Sequence, residues 1–116
     1  MSEKKERAAL PAETAEMLMA EAEKARARAY APYSGFSVGA GLLFEDGSVV
    51  SGCNVENASY SLSICAEHNA MTTAVAMGLT RPTAAAVAGP DGVFCPPCGS
   101  CRQFLAEFNG AMPVVI

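Results

Sequence analysis

The stretches Cys65-Ala66-Glu67-His68 and Pro97-Cys98-Gly99-Ser100-Cys101 decide how this chain folds and what it can bind. Each opens a predicted helix, and together they supply three thiols and one carboxylate. A Cys-x-x-Cys spacing at the start of a helix lets two sulfurs converge on one ion, and the free backbone N–H groups there stabilise thiolates. The cysteine that opens the other helix can supply a third sulfur.

These residue types predict a catalytic zinc site. Zinc is tetrahedral, and three protein ligands, here Cys65, Cys98 and Cys101, leave its fourth corner for a water molecule. Glu67 is the predicted general acid and base, because a carboxylate beside that water can take its proton and return it to a leaving group. The pattern therefore favours a zinc-dependent hydrolase of small molecules.

The same residues also allow a closed structural zinc site. Its fourth ligand would be Cys95 or Cys53, and a lone Cys-x-x-Cys is weak support for catalysis because redox pairs and structural sites share it. Glu67 would then only complement the dipole of its helix. A zinc module that binds a protein partner needs no such carboxylate, so the role of Glu67 separates the two classes.

Composition narrows the class of protein further. With 116 residues, 51% of them hydrophobic, the sequence predicts one compact domain over 1–116. The 12 acidic and 8 basic side chains give a net charge of -4, which disfavours nucleic acid and anionic lipid as partners. The five cysteines are an odd number, which indicates metal binding or free thiols in a reducing compartment. Without a membrane-spanning run or signal peptide, we expect a cytoplasmic location.

Hydrophobic periodicity and turn residues predict the element order αββαβαβ, which is typical of an α/β sheet with packed helices. The first helix is expected from Pro11 to about Tyr30, before Pro32. An Asp-Gly turn joins the next two strands into a hairpin. Gly78 closes the second helix. The predicted elements after the first helix are strands at 37–44 and 48–54, a loop at 55–63, a helix at 65–77, a strand at 84–89, a loop at 91–97, a helix at 98–108 and a strand beginning at 113.

From Tyr30 to its last residue the chain resembles the small homotetrameric, zinc-dependent cytidine deaminases. Zinc deaminases carry a Cys or His, then x-Glu, followed by Pro-Cys-x-x-Cys. Four segments in the same order as in the family make the resemblance specific. They are Tyr33-Ser34-Gly35-Phe36-Ser37-Val38-Gly39-Ala40, Gly52-Cys53-Asn54-Val55-Glu56-Asn57-Ala58-Ser59-Tyr60, Cys65-Ala66-Glu67 and Pro97-Cys98-Gly99-Ser100-Cys101-Arg102-Gln103.

The resemblance implies a three-layer sandwich with a central mixed sheet and helices on both faces. It also implies zinc-dependent deamination of cytidine and 2′-deoxycytidine in pyrimidine salvage, with the proton carried by Glu67 and the site completed by neighbouring subunits. A related activity on another modified cytidine stays open, and a nucleic-acid editing deaminase ranks last because of the negative charge.

The resemblance also implies a role for each residue that binds the nucleoside. Phe36 would stack on the base, Asn54 and Glu56 would hold the ribose 3′-hydroxyl, and the Ala66 N–H would meet the base carbonyl. The sugar pocket would be completed, partly from a neighbouring subunit, by Tyr33, Ala58 and Tyr60. Taken singly, Phe36 could be an ordinary core residue, and Asn54 and Glu56 could be turn-forming or solvated.

The chain departs from the family pattern at two places. His68 stands where the family usually has Arg, whose charge offsets that of three thiolates on one zinc. We expect His68 to donate a hydrogen bond to a cysteine sulfur and to change the room near the pyrimidine 4-position, so that 4-substituted nucleosides are accepted. Neutral drift is the alternative, and His68 as a fourth ligand is sterically awkward. The second departure is that the family continues with a strand and a short helix beyond Ile116, so we expect a tail absent from this sequence.

Overall fold

A four-stranded mixed sheet lies at the centre of this computed structural model, which describes residues 10–90 and 99–116. Its spatial order is β2-β1-β3-β4; β1 is antiparallel to both neighbours, and β3 is parallel to β4. None of the three described helices is long and apolar enough to cross a membrane. The elements in chain order are α1 (Ala12–Arg26), β1 (Gly39–Phe44), β2 (Val49–Cys53), a 3₁₀ turn (Tyr60–Leu62), α2 (Ala66–Ala76), β3 (Pro82–Ala88), α3 (Gly99–Asn109) and β4 (Val114–Val115).

The helices cover both faces of the sheet, which confirms the predicted three-layer α/β architecture. Alternate residues of β3 point to opposite faces. Ala84 and Ala86 pack with Leu18 of α1 in one core cluster. Ala85 belongs to the other cluster, with buried residues of α2 and α3 such as Met71. The small alanine side chains let helices approach the central strand closely from either side.

Two glycines bring the helices into near contact with the sheet backbone. A Cβ on Gly39 would lie 1.9 Å from the carbonyl oxygen of Ala22 in α1. A Cβ on Gly52 would lie 2.4 Å from the backbone nitrogen of Ala70 in α2. Only glycine allows this approach. The absence of a side chain at Gly52 therefore sets the first turns of α2 against the end of β2.

The first helix ends at Arg26, earlier than the sequence predicts. The reason is that Tyr30 uses its backbone elsewhere: its N–H donates to the Asn54 carbonyl at 3.0 Å, and its own carbonyl accepts from the N–H of Glu56 at 2.8 Å. The chain must leave the helix to make this bridge. The predicted loop at 91–97 and the predicted helix start at Cys98 lie outside the described residues.

Candidate active site

The start of α2 places a cysteine at the positive end of a helix. Cys65 is the N-cap residue, with extended backbone angles (φ -72°, ψ 157°), and its side chain does not cap the helix. The first N–H groups of a helix have no partner within the helix. Their partial positive charge favours a thiolate at this position. The N–H of Ala66, predicted to meet the base carbonyl, belongs to this group.

The carboxyl group of Glu67 is buried against a thiol of α3. Glu67 is 3% exposed and Cys101 is 2% exposed, and the two side chains are hydrogen bonded. Burial raises the pKa of Glu67 above its usual range, while hydrogen bonds from its own N–H and from Cys101 lower it in part. The fold thus joins two residues from separate predicted motifs. A carboxylate with a raised pKa takes up a proton more readily than an ordinary one, which suits a general base that later returns the proton.

Two of the three predicted zinc ligands fall within the described residues. Cys65 and Cys101 lie at the starts of two helices, and the buried carboxylate lies against one of them. Cys98 lies outside the described part, and within 10–90 and 99–116 no three His, Cys, Asp or Glu side chains form a metal-holding group. Thiols are donors that zinc prefers, so Cys65 and Cys101, each near the positive end of a helix, have the chemistry of zinc ligands.

Of the two alternative fourth ligands of a closed site, only Cys53 falls within the described residues. The thiol of Cys53 donates a hydrogen bond to the backbone carbonyl of Arg28, with Sγ 3.6 Å from the oxygen. Its sulfur therefore points toward the segment that follows α1, and this contact does not match the role of a fourth zinc ligand. Cys95 lies outside the described ranges.

His68 connects the two helices of the site through its ring. The imidazole stacks on Phe104 of α3, with ring centroids 4.2 Å apart and an interplanar angle of 21°. Phe104 in turn meets the ring of Phe108 edge-on at 5.7 Å. Stacked and edge-on ring pairs stabilise the packing of the helices that carry them. The hydrogen bond from His68 to a cysteine sulfur stays a prediction.

A second group of predicted site residues surrounds Glu56. One carboxylate oxygen accepts hydrogen bonds from the backbone N–H groups of Tyr33 at 3.0 Å and Ser34 at 3.1 Å. The other accepts from the Ser34 hydroxyl. These bonds, the Ser34 hydroxyl first, hold the pKa of Glu56 below its usual range. Glu56 is therefore a charged carboxylate that holds the backbone of Tyr33 and Ser34 in place through these hydrogen bonds.

Asn54 holds the segment that carries Phe36. Its Oδ1 accepts from the N–H of Val38 at 2.8 Å, and its Nδ2 donates to the carbonyl of Phe36 at 2.9 Å. The ring of Phe36 is exposed, which does not match the alternative that it is core packing. Phe36, Asn54 and Glu56 thus lie in one hydrogen-bonded surface unit beside the end of β2.

The remaining predicted pocket residues lie on exposed surface. Tyr60, in the 3₁₀ turn, is 91% exposed, and Ala58 just before it is exposed as well. Tyr33 is also exposed. A single copy of the chain therefore leaves these side chains open to a further molecule.

Three residues of the site were missed by the sequence analysis: Ser34, Asn69 and Phe104. Asn69 accepts a hydrogen bond from the N–H of Cys53 through its Oδ1, at 3.0 Å. Asparagine is a poor helix former, so its presence inside a predicted helix is a signal that could have drawn attention to it. Nothing local distinguishes Phe104 from an ordinary core residue.

Cysteines that open two helices of a three-layer sandwich, with a buried carboxylate against one of the thiols, are the arrangement expected of a zinc-dependent hydrolase. The family model described as "Cytidine and deoxycytidylate deaminase zinc-binding region" matches residues 12–116. The chain belongs to this family of hydrolytic deaminases and is an enzyme of that kind, and the family implies zinc as its metal.

Individual relatives agree with the family match. A cytidine deaminase of Sporosarcina psychrophila is 51% identical over 102 residues, which cover 87% of this chain and 75% of that protein. The crystal structure of cytidine deaminase from Mycobacterium tuberculosis superposes with a TM-score of 0.83 at 44% identity, covering 87% of this chain and 83% of that one. The cytidine deaminase from Bacillus anthracis, 17% identical with a TM-score of 0.64, shares the fold.

Proposed function

We propose that this enzyme catalyses the zinc-dependent hydrolytic deamination of cytidine and 2′-deoxycytidine to uridine and 2′-deoxyuridine, with release of ammonia, in pyrimidine salvage. The observation that carries the proposal is the buried carboxyl group of Glu67 on the thiol of Cys101. Burying a carboxylate costs free energy because it removes the charged form from water. A structural zinc module does not require such a group, whereas a hydrolase requires it as a general acid and base. The names of the relatives support cytidine as the substrate.

Cys65, Cys98 and Cys101 would hold the zinc ion. When bound, zinc supplies a Lewis acid that makes a neighbouring water acidic at neutral pH. The helix ends at Cys65 and at the start of α3 favour the thiolate forms needed to bind it.

Glu67 moves the proton during the reaction. As the oxygen of water adds to C4 of the pyrimidine, the carboxylate accepts a proton, and the carboxylic acid then delivers it toward the departing amino nitrogen. The raised pKa makes the carboxylate a stronger base toward the proton of water, and the acid form can still pass that proton to the more basic amino nitrogen. Burial keeps bulk water away from the proton while it is held.

The unit around Asn54 and Glu56 has hydrogen-bonding capacity left for a ribose. Asn54 uses one of its two N–H donors and one lone pair on the backbone of the Phe36–Val38 segment. Glu56 accepts three hydrogen bonds, and a carboxylate can accept about four. The remaining donor and acceptor suit the 3′-hydroxyl of the sugar, and the exposed Phe36 ring offers a face for the base.

We further propose that His68 widens the range of accepted 4-substituents. Because its ring stacks on Phe104 and lacks the reach of an arginine, it leaves more room near C4. We expect His68→Arg to lower kcat/KM for 4-alkylamino cytidines more than for cytidine, by about tenfold. A panel of 4-substituted nucleosides assayed with both enzymes measures this, and identical profiles would contradict it.

We also propose that the enzyme is a homotetramer whose sugar pockets are completed by neighbouring copies. The supporting observation is the row of exposed large apolar side chains in the segment between β2 and α2, chiefly Tyr60, Leu62 and Ile64. Such surface usually marks an interface. Sedimentation velocity measures the assembly, and a fully active monomer would contradict it. Within the described residues, Cys53, Cys65 and Cys101 are not joined in disulfides, which supports the proposal of a reducing, cytoplasmic setting.

The test of the function is turnover and metal content measured on one preparation. We expect about one zinc per chain and release of ammonia from cytidine and 2′-deoxycytidine, lost on chelation and restored by zinc. Zinc without turnover of either nucleoside would contradict the proposed activity. Turnover that survives complete removal of the metal would contradict the zinc dependence.

A further inference from the structure

The side chain of Asn69 ties helix α2 to the end of strand β2. Its Oδ1 accepts the N–H of Cys53 at 3.0 Å, in a partly buried hydrogen bond between residues distant in sequence. Asn69 lies one turn after Cys65, to whose carbonyl its own N–H donates at 3.0 Å. The bond therefore acts on the turn of α2 that carries Glu67.

The hydrogen bond fills a specific gap in the sheet. The N–H of Phe44 donates to the carbonyl of Ser48, and the N–H of Asn54 donates to that of Val38. In this antiparallel pattern the N–H of Cys53, next to Asn54, points away from β1. Strand β2 lies at the edge of the described sheet. Asn69 supplies the acceptor that a neighbouring strand would otherwise provide.

The chain carries the connection on toward the predicted base-binding ring. The residue after Cys53 is Asn54, whose amide fixes both Phe36 and Val38. Two side-chain amides in series therefore link the helix of Glu67 to the segment of Phe36. Because α2 packs directly against the backbone at Gly52, the hydrogen-bonded connection from Asn69 to Phe36 is short.

We infer that Asn69 is a positioning residue that sets the distance between the carboxyl group of Glu67 and the base held at Phe36. This inference rests on the proposed deaminase function. Catalytic proton transfer requires the reacting groups within hydrogen-bond reach, and small displacements reduce rates steeply. We expect a change in this distance to leave nucleoside binding at Phe36, Asn54 and Glu56 intact and to lower the rate of the chemical step.

Two substitutions of similar size separate the hydrogen bond from mere packing. Asn69→Leu removes the acceptor, whereas Asn69→Asp keeps it. We expect Asn69→Leu to lower kcat about tenfold with KM changed less than about twofold, and Asn69→Asp to restore kcat. Steady-state kinetics with cytidine, per folded and zinc-loaded enzyme, measure the split.

Asn109→Ala is the matched control. The Asn109 amide also bridges two elements, donating to the carbonyl of Pro82 at 2.9 Å, at the end of β3 away from the site. We expect it to lower thermal stability and leave kcat unchanged. Equal kcat in Asn69→Leu and Asn109→Ala would overturn the inference, and so would equal losses in the Leu and Asp variants.

Amide hydrogen exchange tests the same link without turnover. Asn69→Leu should speed exchange of the Cys53 amide about tenfold relative to the native chain, and Asn69→Asp should not. An unchanged Cys53 amide in the Leu variant overturns the inference. If the native enzyme fails to deaminate cytidine, the proposed function fails, and the exchange measurement still decides whether the link exists.

Discussion

Glu67→Gln is expected to reduce cytidine turnover by roughly 10²- to 10⁴-fold, the range typical of a lost general acid and base. Glutamine has nearly the same shape as glutamate and can still bond to Cys101, but it cannot carry the proton. Because the native carboxyl is buried and its pKa is raised, removing the charge should not destabilise the fold. Turnover, zinc content and melting temperature should be measured together.

Glu107→Gln provides the control for Glu67→Gln. Glu107 is exposed and lies on α3, the helix of Cys101, so the same chemical change there should leave all three quantities unchanged. A Glu67→Gln enzyme that retains zinc and loses turnover supports the catalytic role. Turnover within tenfold of the native value would exclude Glu67 as the proton carrier, and loss of zinc with loss of turnover would assign it to the metal site instead.

Gly52→Ala is expected to lower the free energy of unfolding by about 1–3 kcal/mol and to reduce activity in the fraction that folds. The new Cβ would lie 2.4 Å from the backbone nitrogen of Ala70 and 2.8 Å from the carbonyl oxygen of Ala66. Both neighbours are backbone atoms of α2, so the helix itself must move. Denaturant unfolding measures the stability loss, and kcat reports the displacement of Glu67.

Gly110→Ala isolates the effect of contact from the general effect of glycine replacement. A Cβ at Gly110 would lie 4.0 Å from the carbonyl oxygen of Ala106, which is ordinary van der Waals contact. We expect that variant to be as stable as the native protein. If Gly52→Ala is equally stable, α2 does not depend on this close approach.

The end of α1 could not be predicted from local sequence patterns. Helix-forming residues continue to Ala29, and the sequence accordingly predicted a helix to about Tyr30. The helix ends at Arg26 because the backbone of Tyr30 bonds to Asn54 and Glu56, which lie in a distant part of the chain. By contrast, the hairpin turn at Asp46-Gly47 and the helix end at Gly78 were predicted from local residues alone, and both glycines have positive φ, at 91° and 87°.

Periodicity, turn residues and short motifs act locally, so they were enough to predict the order of elements, the α/β class, the family and the candidate chemistry of the site. The partners of the polar side chains depend on distant parts of the chain and became visible only in the folded molecule. Glu56 holds the Ser34 turn, Asn69 binds the Cys53 N–H, and His68 stacks on Phe104. Each of these contacts joins separate elements, and their geometry depends on how closely glycines and alanines let those elements pack.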